Sequence, residues 1–124
     1  MRNILVVDDE HVITSSIKSY FTRLGATVDT AAEREEAEAL LATRNYDVAI
    51  VDLRLAGTDG LEGLDILRFV RDRGLPVRTI LMTANPTDSA EATAHLLGLD
   101  VFLRKPIPLQ TMASVVDGLF EVRS

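Results

Sequence analysis

The sequence predicts a doubly wound α/β domain in which a parallel sheet lies between two layers of helices. Two observations lead to this prediction: five short runs rich in Val and Ile, typical of buried strands, and a helical pattern after each run. Repeated alternation of strand and helix favours parallel pairing, because right-handed crossovers join successive parallel strands compactly. With 124 residues and no linker or repeat, the chain is expected to form one domain over residues 1–124, without an output domain.

The predicted strands are the apolar runs themselves. Their length and their content of β-branched residues are typical of strands that are covered on both faces of a sheet. They are expected at Asn3 to Val7, Thr27 to Thr30, Asp47 to Asp52, Arg78 to Thr83 and Val101 to Arg104.

The predicted helices follow from the spacing of apolar residues, and their ends follow from glycine and proline. The first helix carries Ile13, Ile17 and Phe21 at i, i+4 spacing. Pro86 and Pro108 each suit the first position of a helix, so they are expected to open the fourth and fifth helices. The five helices are expected at about 13–24, 33–44, 61–72, 86–97 and 108–120.

Composition and charge argue against several classes of protein. The net charge is −6 and there is no block rich in Lys or Arg, so direct nucleic-acid binding is not expected, because that needs a basic face. The absence of cysteine excludes disulfides, thiol chemistry and Cys-bound metals. The apolar runs are far too short to span a membrane, and the N-terminus has the character of a strand rather than of a signal peptide. We therefore expect a cytoplasmic protein without a membrane contact.

Side chains that can bind ions or phosphate follow the ends of four predicted strands. Asp8 and Asp9 follow the first strand, Asp52 ends the third, Thr83 ends the fourth and Lys105 follows the fifth. Ligands bind at the carboxyl edge of parallel strands, so these groups converge if the strands are neighbours. Three carboxylates within about 4–6 Å repel one another. A hard divalent cation such as Mg²⁺ removes that repulsion, so the pattern predicts a magnesium site.

This constellation resembles the receiver domain of two-component response regulators, and the resemblance covers the whole chain. Its specificity lies in the spacing: 43 residues separate Asp9 from Asp52, 31 separate Asp52 from Thr83, and 22 separate Thr83 from Lys105. The resemblance implies a flavodoxin-like (βα)5 fold with sheet order 2-1-3-4-5. It also implies Mg²⁺-dependent transfer of a phosphoryl group from a sensor histidine kinase or a histidine phosphotransfer protein to Asp52.

The metal ligands implied by this resemblance come from two loops. Asp9 and Asp52 are expected to bind Mg²⁺ directly, Asp8 is expected to act through water, and the backbone carbonyl of Arg54 is expected to complete the set. Only oxygen ligands are involved, as Mg²⁺ prefers.

The phosphoryl chemistry implied by the resemblance uses three side chains. Asp52 is the expected nucleophile, Lys105 neutralises charge on the transferring oxygens and the Thr83 hydroxyl forms a hydrogen bond to one of them. Pro106 suggests a cis peptide bond after Lys105, since only X–Pro bonds adopt the cis form readily. The protein is then a signalling phosphoacceptor rather than an enzyme acting on other substrates.

Phosphorylation adds about −1.5 to −2 charges at one point, so a conformational switch is expected. The resemblance assigns it to Thr83 and Phe102, with the fourth helix, fifth strand and fifth helix as the face that an unknown output partner reads. The alternative for Phe102 is a fixed core or edge aromatic residue.

A kinase must reach Asp52, so the docking surface is expected beside the site, on the first helix and on the loop after Lys105. Exposed apolar residues there favour an interface, although the serines could simply be solvated. The expected docking residues are Val12, Ser15, Ser16, Ser19, Pro106, Ile107 and Pro108.

The chain departs from the usual receiver pattern in one loop. Ala56 stands where such proteins usually have proline, whereas Asp59-Gly60 keeps the turn that follows. Arg54 and Asn85 are the residues expected to flank the phosphoryl group.

Three alternatives are less well supported by the sequence. A pseudo-receiver would share the fold and bind partners without phosphorylation. A phosphatase of the haloacid dehalogenase type needs a second Asp two residues after the nucleophile, where this chain has Arg54. The acidic pair could also merely cap the first helix, because Asp is a favoured capping residue.

Overall fold

The computed structural model describes residues 2–55 and 61–121, and it has the predicted α/β fold. Five parallel strands form one sheet in the order β2-β1-β3-β4-β5. The strands are β1 (Asn3–Val7), β2 (Thr27–Ala31), β3 (Val48–Asp52), β4 (Arg78–Thr83) and β5 (Val101–Arg104). The helices are α1 (His11–Arg23), α2 (Arg34–Thr43), α3 (Glu62–Asp72), α4 (Asp88–Leu96) and α5 (Leu109–Leu119).

The strand predictions are confirmed to within one residue. β3 begins at Val48 rather than at Asp47, although the Asp47 N–H still donates to the Asn3 carbonyl of β1 at 2.8 Å and its carboxylate accepts the Asn3 N–H at 2.7 Å. β2 extends to Ala31, whose carbonyl accepts the Asp8 N–H at 3.1 Å. This last bond holds the start of the acidic pair against the neighbouring strand.

Four helices begin one or two residues later than predicted, α1 begins two residues earlier, and the two expected to open on proline show why. Pro86 does not open α4, because Thr87 caps this helix and its hydroxyl accepts the Ala90 N–H at 3.2 Å. Pro108 occupies the N-cap position of α5, which starts one residue later, and its carbonyl accepts the Met112 N–H. Each proline therefore precedes the first turn instead of forming part of it.

The helices form one layer on each face of the sheet. On one face, α1 and α5 pack on every second residue of the strands; the buried side chains include Ile4, Val6, Ile17, Phe21, Ile50, Ile80, Met82, Met112 and Val116. On the other face, α2, α3 and α4 pack on the intervening residues; the buried side chains include Leu5, Val7, Leu41, Ala49, Val51, Leu64, Ile66, Leu67, Leu81, Ala90 and Ala94. This alternation follows from the period of two along a strand.

The strand order brings the carboxyl ends of β1, β3 and β4 together. Val7 lies opposite Val51, and Asp52 lies opposite Met82, so the residues that end or follow these strands share one edge. In the two described segments, every helix is too short or too polar to cross a bilayer.

Candidate functional site

Three carboxylates meet at the carboxyl edge of the sheet. Asp8, Asp9 and Asp52 each offer an oxygen atom, and these oxygens lie within 4.8 Å of one another. Asp8 and Asp52 are only 1% and 6% exposed, whereas Asp9 is more accessible. The pairing of β1 with β3 produces this cluster, because each strand ends in the same register.

Lys105 supplies the positive charge of the site. Its Nζ atom donates to Asp8 Oδ2 at 2.8 Å and lies 3.3 Å from Asp52 Oδ2. Burial alone lowers the pKa of Lys105, but the hydrogen bond to Asp8 and the two negative charges outweigh it, so the pKa is raised. The Lys105 N–H donates to the Thr83 carbonyl at 2.8 Å, and the Lys105–Pro106 peptide bond is cis, as expected from the sequence.

The Asp52 carboxyl group has an unusually high proton affinity. Burial and the neighbouring charge of Asp8 raise its pKa to about 6, although Lys105 and the Arg54 N–H act in the opposite direction. At neutral pH the group is therefore mainly ionised. The buried negative charge raises the free energy of the folded protein, and a bound cation would offset this.

The members of the acidic pair differ in what they bind. Asp8 Oδ2 accepts from Lys105, and Asp8 Oδ1 accepts the Glu10 N–H at 2.9 Å, just before α1 begins. Asp8 therefore serves the turn before the helix as well as the ion pair. Within residues 2–55 and 61–121, the Asp9 side chain has no hydrogen bond or ion pair, so its oxygens are available to a ligand.

Thr83 and Arg54 flank the carboxylates. Thr83 ends β4 and is buried, and its hydroxyl oxygen accepts the Asn85 N–H at 3.2 Å. The Arg54 N–H approaches Asp52 Oδ1 at 3.4 Å, while the Arg54 side chain is exposed.

Gly63 also contacts the site backbone, and the sequence reasoning missed it. It is buried in the first turn of α3, and a Cβ atom there would lie 2.7 Å from the Asp52 carbonyl oxygen. A glycine inside a helical pattern was the available signal, because glycine destabilises a helix relative to alanine.

A cavity of about 430 Å³ opens next to Lys105, between α1 and the start of α5. This cavity is lined by four of the expected docking residues, Val12, Ser16, Pro106 and Ile107. Of these, Val12 is 77% exposed. The other three, Ser15, Ser19 and Pro108, are exposed outside it.

Phe102 lies on the edge strand β5, opposite Leu81. It is half-buried and packs against the core shared with α3 and α4. Ala56, Asp59 and Gly60, where the loop after β3 was expected to depart from or keep the usual pattern, lie outside the described residues.

The sequence of this domain matches a known family model. The model, described as response regulator receiver domain, matches residues 4–117. The chain belongs to this family. It is a receiver domain of the two-component response regulators, which are signalling proteins.

Curated relatives agree with this assignment. The transcriptional regulatory protein QseB of Escherichia coli O157:H7 is 31% identical over 116 residues, which cover 94% of this receiver and 52% of QseB. The chain therefore spans about half the length of this relative.

Solved structures share the fold. A CheY-like receiver domain protein from Methanospirillum hungatei JF-1 superposes with a TM-score of 0.88 at 22% identity, over 96% of this chain and 93% of that one. The response regulator protein TrrA from Thermotoga maritima, solved in complex with Mg²⁺-BeF, gives a TM-score of 0.82 at 28% identity, over 96% and 99% of the two chains.

Proposed function

We propose that this receiver takes a phosphoryl group onto Asp52 from the phosphohistidine of a sensor kinase or a histidine phosphotransfer protein. The proposal rests on one observation: Asp52 lies between a positively charged group and other negatively charged groups. One oxygen lies 3.3 Å from the Lys105 ammonium, and two further carboxylates offer oxygens within 4.8 Å. An acceptor with acidic groups on one side and a cation on the other suits a phosphoryl group held between a metal and a lysine.

The donor set fits Mg²⁺. All the available groups are oxygens, and burial and the charge of Asp8, which raise the pKa of Asp52, are both opposed by a divalent cation. We expect Asp9, Asp52 and the Arg54 carbonyl to bind the ion directly, while Asp8, whose oxygens already accept two hydrogen bonds, acts through water. When bound, Mg²⁺ would supply positive charge to the phosphoryl oxygens.

The transfer is a displacement at phosphorus. A carboxylate oxygen of Asp52 forms a P–O bond while the P–N bond to the donor imidazole breaks, and the imidazole leaves with that electron pair and takes a proton from solvent. Lys105 neutralises charge on the phosphoryl oxygens, and the Thr83 hydroxyl donates to one of them. The same groups serve the later hydrolysis, in which water forms a P–O bond to phosphorus while the bond to Asp52 breaks and the carboxylate leaves.

Thr83 and Phe102 would carry the signal to the face formed by α4, β5 and α5. The Thr83 hydroxyl can donate to the phosphoryl group while its oxygen accepts the Asn85 N–H, so a movement of Thr83 would be passed through this bond to the loop before α4. Phe102 is half-buried, so it can become more buried when the loop moves. Such a switch needs only a few kcal/mol of bias between two packings.

The histidine-bearing partner would dock on the cavity next to Lys105. Its lining is mainly apolar, with Val12 and Ile107 at the surface side and Met82 and Met112 at its base. A partner helix placed there would bring a phosphohistidine close to the carboxylates without crossing the sheet.

The test is incubation with Mg²⁺ and acetyl phosphate, followed by measurement of intact mass. We expect one phosphoryl adduct in the wild type and in Asp72→Asn, which removes an exposed carboxylate of α3, and none in Asp52→Asn. If the wild type gains no adduct, or if the adduct survives in Asp52→Asn, the phosphoacceptor proposal fails. The chain would then be a pseudo-receiver that binds partners without phosphorylation.

A further inference from the structure

We infer that Gly63 is a positioning residue of the phosphoacceptor site, because its lack of a side chain fixes the backbone that follows Asp52. This inference rests on the proposed function. A Cβ atom at Gly63 would lie 2.7 Å from the Asp52 carbonyl oxygen and 2.7 Å from Leu53 Cα. Both are backbone atoms, so no side-chain rotation relieves the overlap. The first turn of α3 therefore rests directly on the end of β3.

The need for glycine here is a need for space. Gly63 has ordinary helical backbone, whereas the glycines with positive φ are found at the ends of helices. Alanine would favour the helix at this position in isolation. Only the approach of α3 to β3 excludes a side chain.

The Leu53 peptide is held from two sides. The Leu53 N–H donates to the Met82 carbonyl of β4 at 2.9 Å, and the Leu53 carbonyl accepts the Gly63 N–H at 3.0 Å. Leu53 itself is fully buried. A methyl group at Gly63 pushes this peptide towards β4, where the bond to Met82 resists the movement.

α3 is also anchored and cannot simply retreat. Ile66 and Leu67 are buried in the core one turn further along the helix, and the Leu81 side chain lies 3.0 Å from the same Cβ position. The methyl group must therefore displace the stretch from Asp52 to Arg54. That stretch carries the acceptor carboxylate and the carbonyl expected to bind Mg²⁺, and shifts well below 1 Å are costly in such sites.

The experiment compares Gly63→Ala with two controls. Gly118→Ala adds the same methyl group in α5, where nothing lies within 4 Å of the new atom. Ile66→Val weakens the core under α3 without touching the contact at Gly63. For each protein we would measure Mn²⁺ binding from the electron paramagnetic resonance signal of the free ion, the rate of phosphorylation by acetyl phosphate with Mg²⁺, and thermal unfolding.

We expect Gly63→Ala to bind Mn²⁺ at least tenfold more weakly and to be phosphorylated at least tenfold more slowly than the wild type. The amide resonances of Leu53 and Arg54 should shift in metal-free protein. Gly118→Ala and Ile66→Val should keep wild-type ion affinity, even though Ile66→Val unfolds at a lower temperature. Wild-type affinity and rate in folded Gly63→Ala would overturn the inference, and so would an equal loss of affinity in Ile66→Val.

Gly118→Ala also supplies a more stable background if Gly63→Ala folds poorly, because alanine favours the helix there. The double variant would be compared with Gly118→Ala at 5 °C. If the double variant still does not fold, the contact serves the whole fold and the positioning role is rejected. A wild type that neither binds Mn²⁺ nor takes a phosphoryl group would refute the proposed function itself, and the backbone shifts would then be the remaining test of Gly63.

Discussion

Asp52 shows how one residue meets conflicting demands. It must be ionised to attack phosphorus, yet burial and the charge of Asp8 disfavour its ionised form. Its folded pKa of about 6 lies above the ordinary value of 3.8, so the folded protein holds a proton between about pH 4 and pH 6 that the unfolded chain has released. The contribution of Asp52 to stability therefore falls as pH rises through this window.

Asp52→Asn should stabilise the metal-free protein at pH 7, because asparagine carries no charge to bury. The free energy of unfolding should rise by about 1–3 kcal/mol relative to the wild type, since one pKa unit corresponds to about 1.4 kcal/mol. The difference should shrink towards pH 4, where the wild-type carboxyl group is protonated. Urea unfolding in EDTA from pH 4 to pH 8 measures this, with Asp72→Asn as the control. A difference that does not change with pH would contradict the prediction.

The charged residues of the site could be predicted from the sequence, whereas Gly63 could not. Asp8, Asp52 and Lys105 follow apolar runs, and the carboxyl edge of a parallel sheet is a place fixed by topology. Gly63 acts through the approach of two backbones. That approach depends on how deeply α3 packs on β3, and a glycine within a helical pattern does not by itself reveal which backbone it contacts.

Among the helices, α4 has the weakest attachment to the sheet. Its buried residues are Ala90 and Ala94, small side chains that remove little apolar surface from water. Its C-terminal end is held from outside by Arg71 of α3, whose guanidinium donates to the Leu96 carbonyl. A cation at the end of a helix also interacts favourably with the helix dipole. We therefore expect α4, the helix that follows Thr83, to open more readily than the other described helices.

Arg71→Ala should loosen α4 without disturbing the rest of the fold. Loss of the bond to Leu96 costs about 0.5–1 kcal/mol, so amide exchange in α4 should become two- to fivefold faster. Hydrogen exchange read by mass spectrometry measures this. Arg68→Ala is the matched control, because Arg68 lies on the same helix but pairs with Asp65 of α3 itself. Equal effects of the two variants on α4 would show that Arg71 does not tether it.

The first residues of α4 and α5 show that helix boundaries do not always follow local sequence rules. Pro86 and Pro108 suit the first position of a helix, yet both lie before the first turn. At α4 the Thr87 hydroxyl supplies the cap, and a side-chain cap defines a helix start more directly than proline does. The ten elements and their succession along the chain follow from periodicity, and the strand order within the sheet is implied by the resemblance to receivers. The starts of these two helices depend on individual hydrogen bonds.

At the scale of the whole molecule, the parallel sheet holds several negative charges close together at one edge. The chain carries a net charge of −6, and three carboxylates converge where β1 and β3 end. The hydrophobic layers on both faces fix the strands in this register, so the backbones that carry the carboxylates stay close together while the protein is folded. The Lys105 ammonium offsets part of the repulsion. A divalent cation that binds only the folded state should therefore raise global stability.

Stabilisation by Mg²⁺ should depend on pH in the direction set by Asp52. Below about pH 6 a proton must leave Asp52 before the ion binds, so protons compete with Mg²⁺. At an ion concentration of about 100 times the dissociation constant, the stability gain is about 2.7 kcal/mol at pH 7, and it should shrink towards pH 5. Thermal unfolding with MgCl₂ and with NaCl at equal ionic strength measures the gain. Asp9→Asn should largely lose it, because it removes the carboxylate most open to the ion. An equal gain in Asp9→Asn, or one that grows as pH falls, would place the cation outside this cluster.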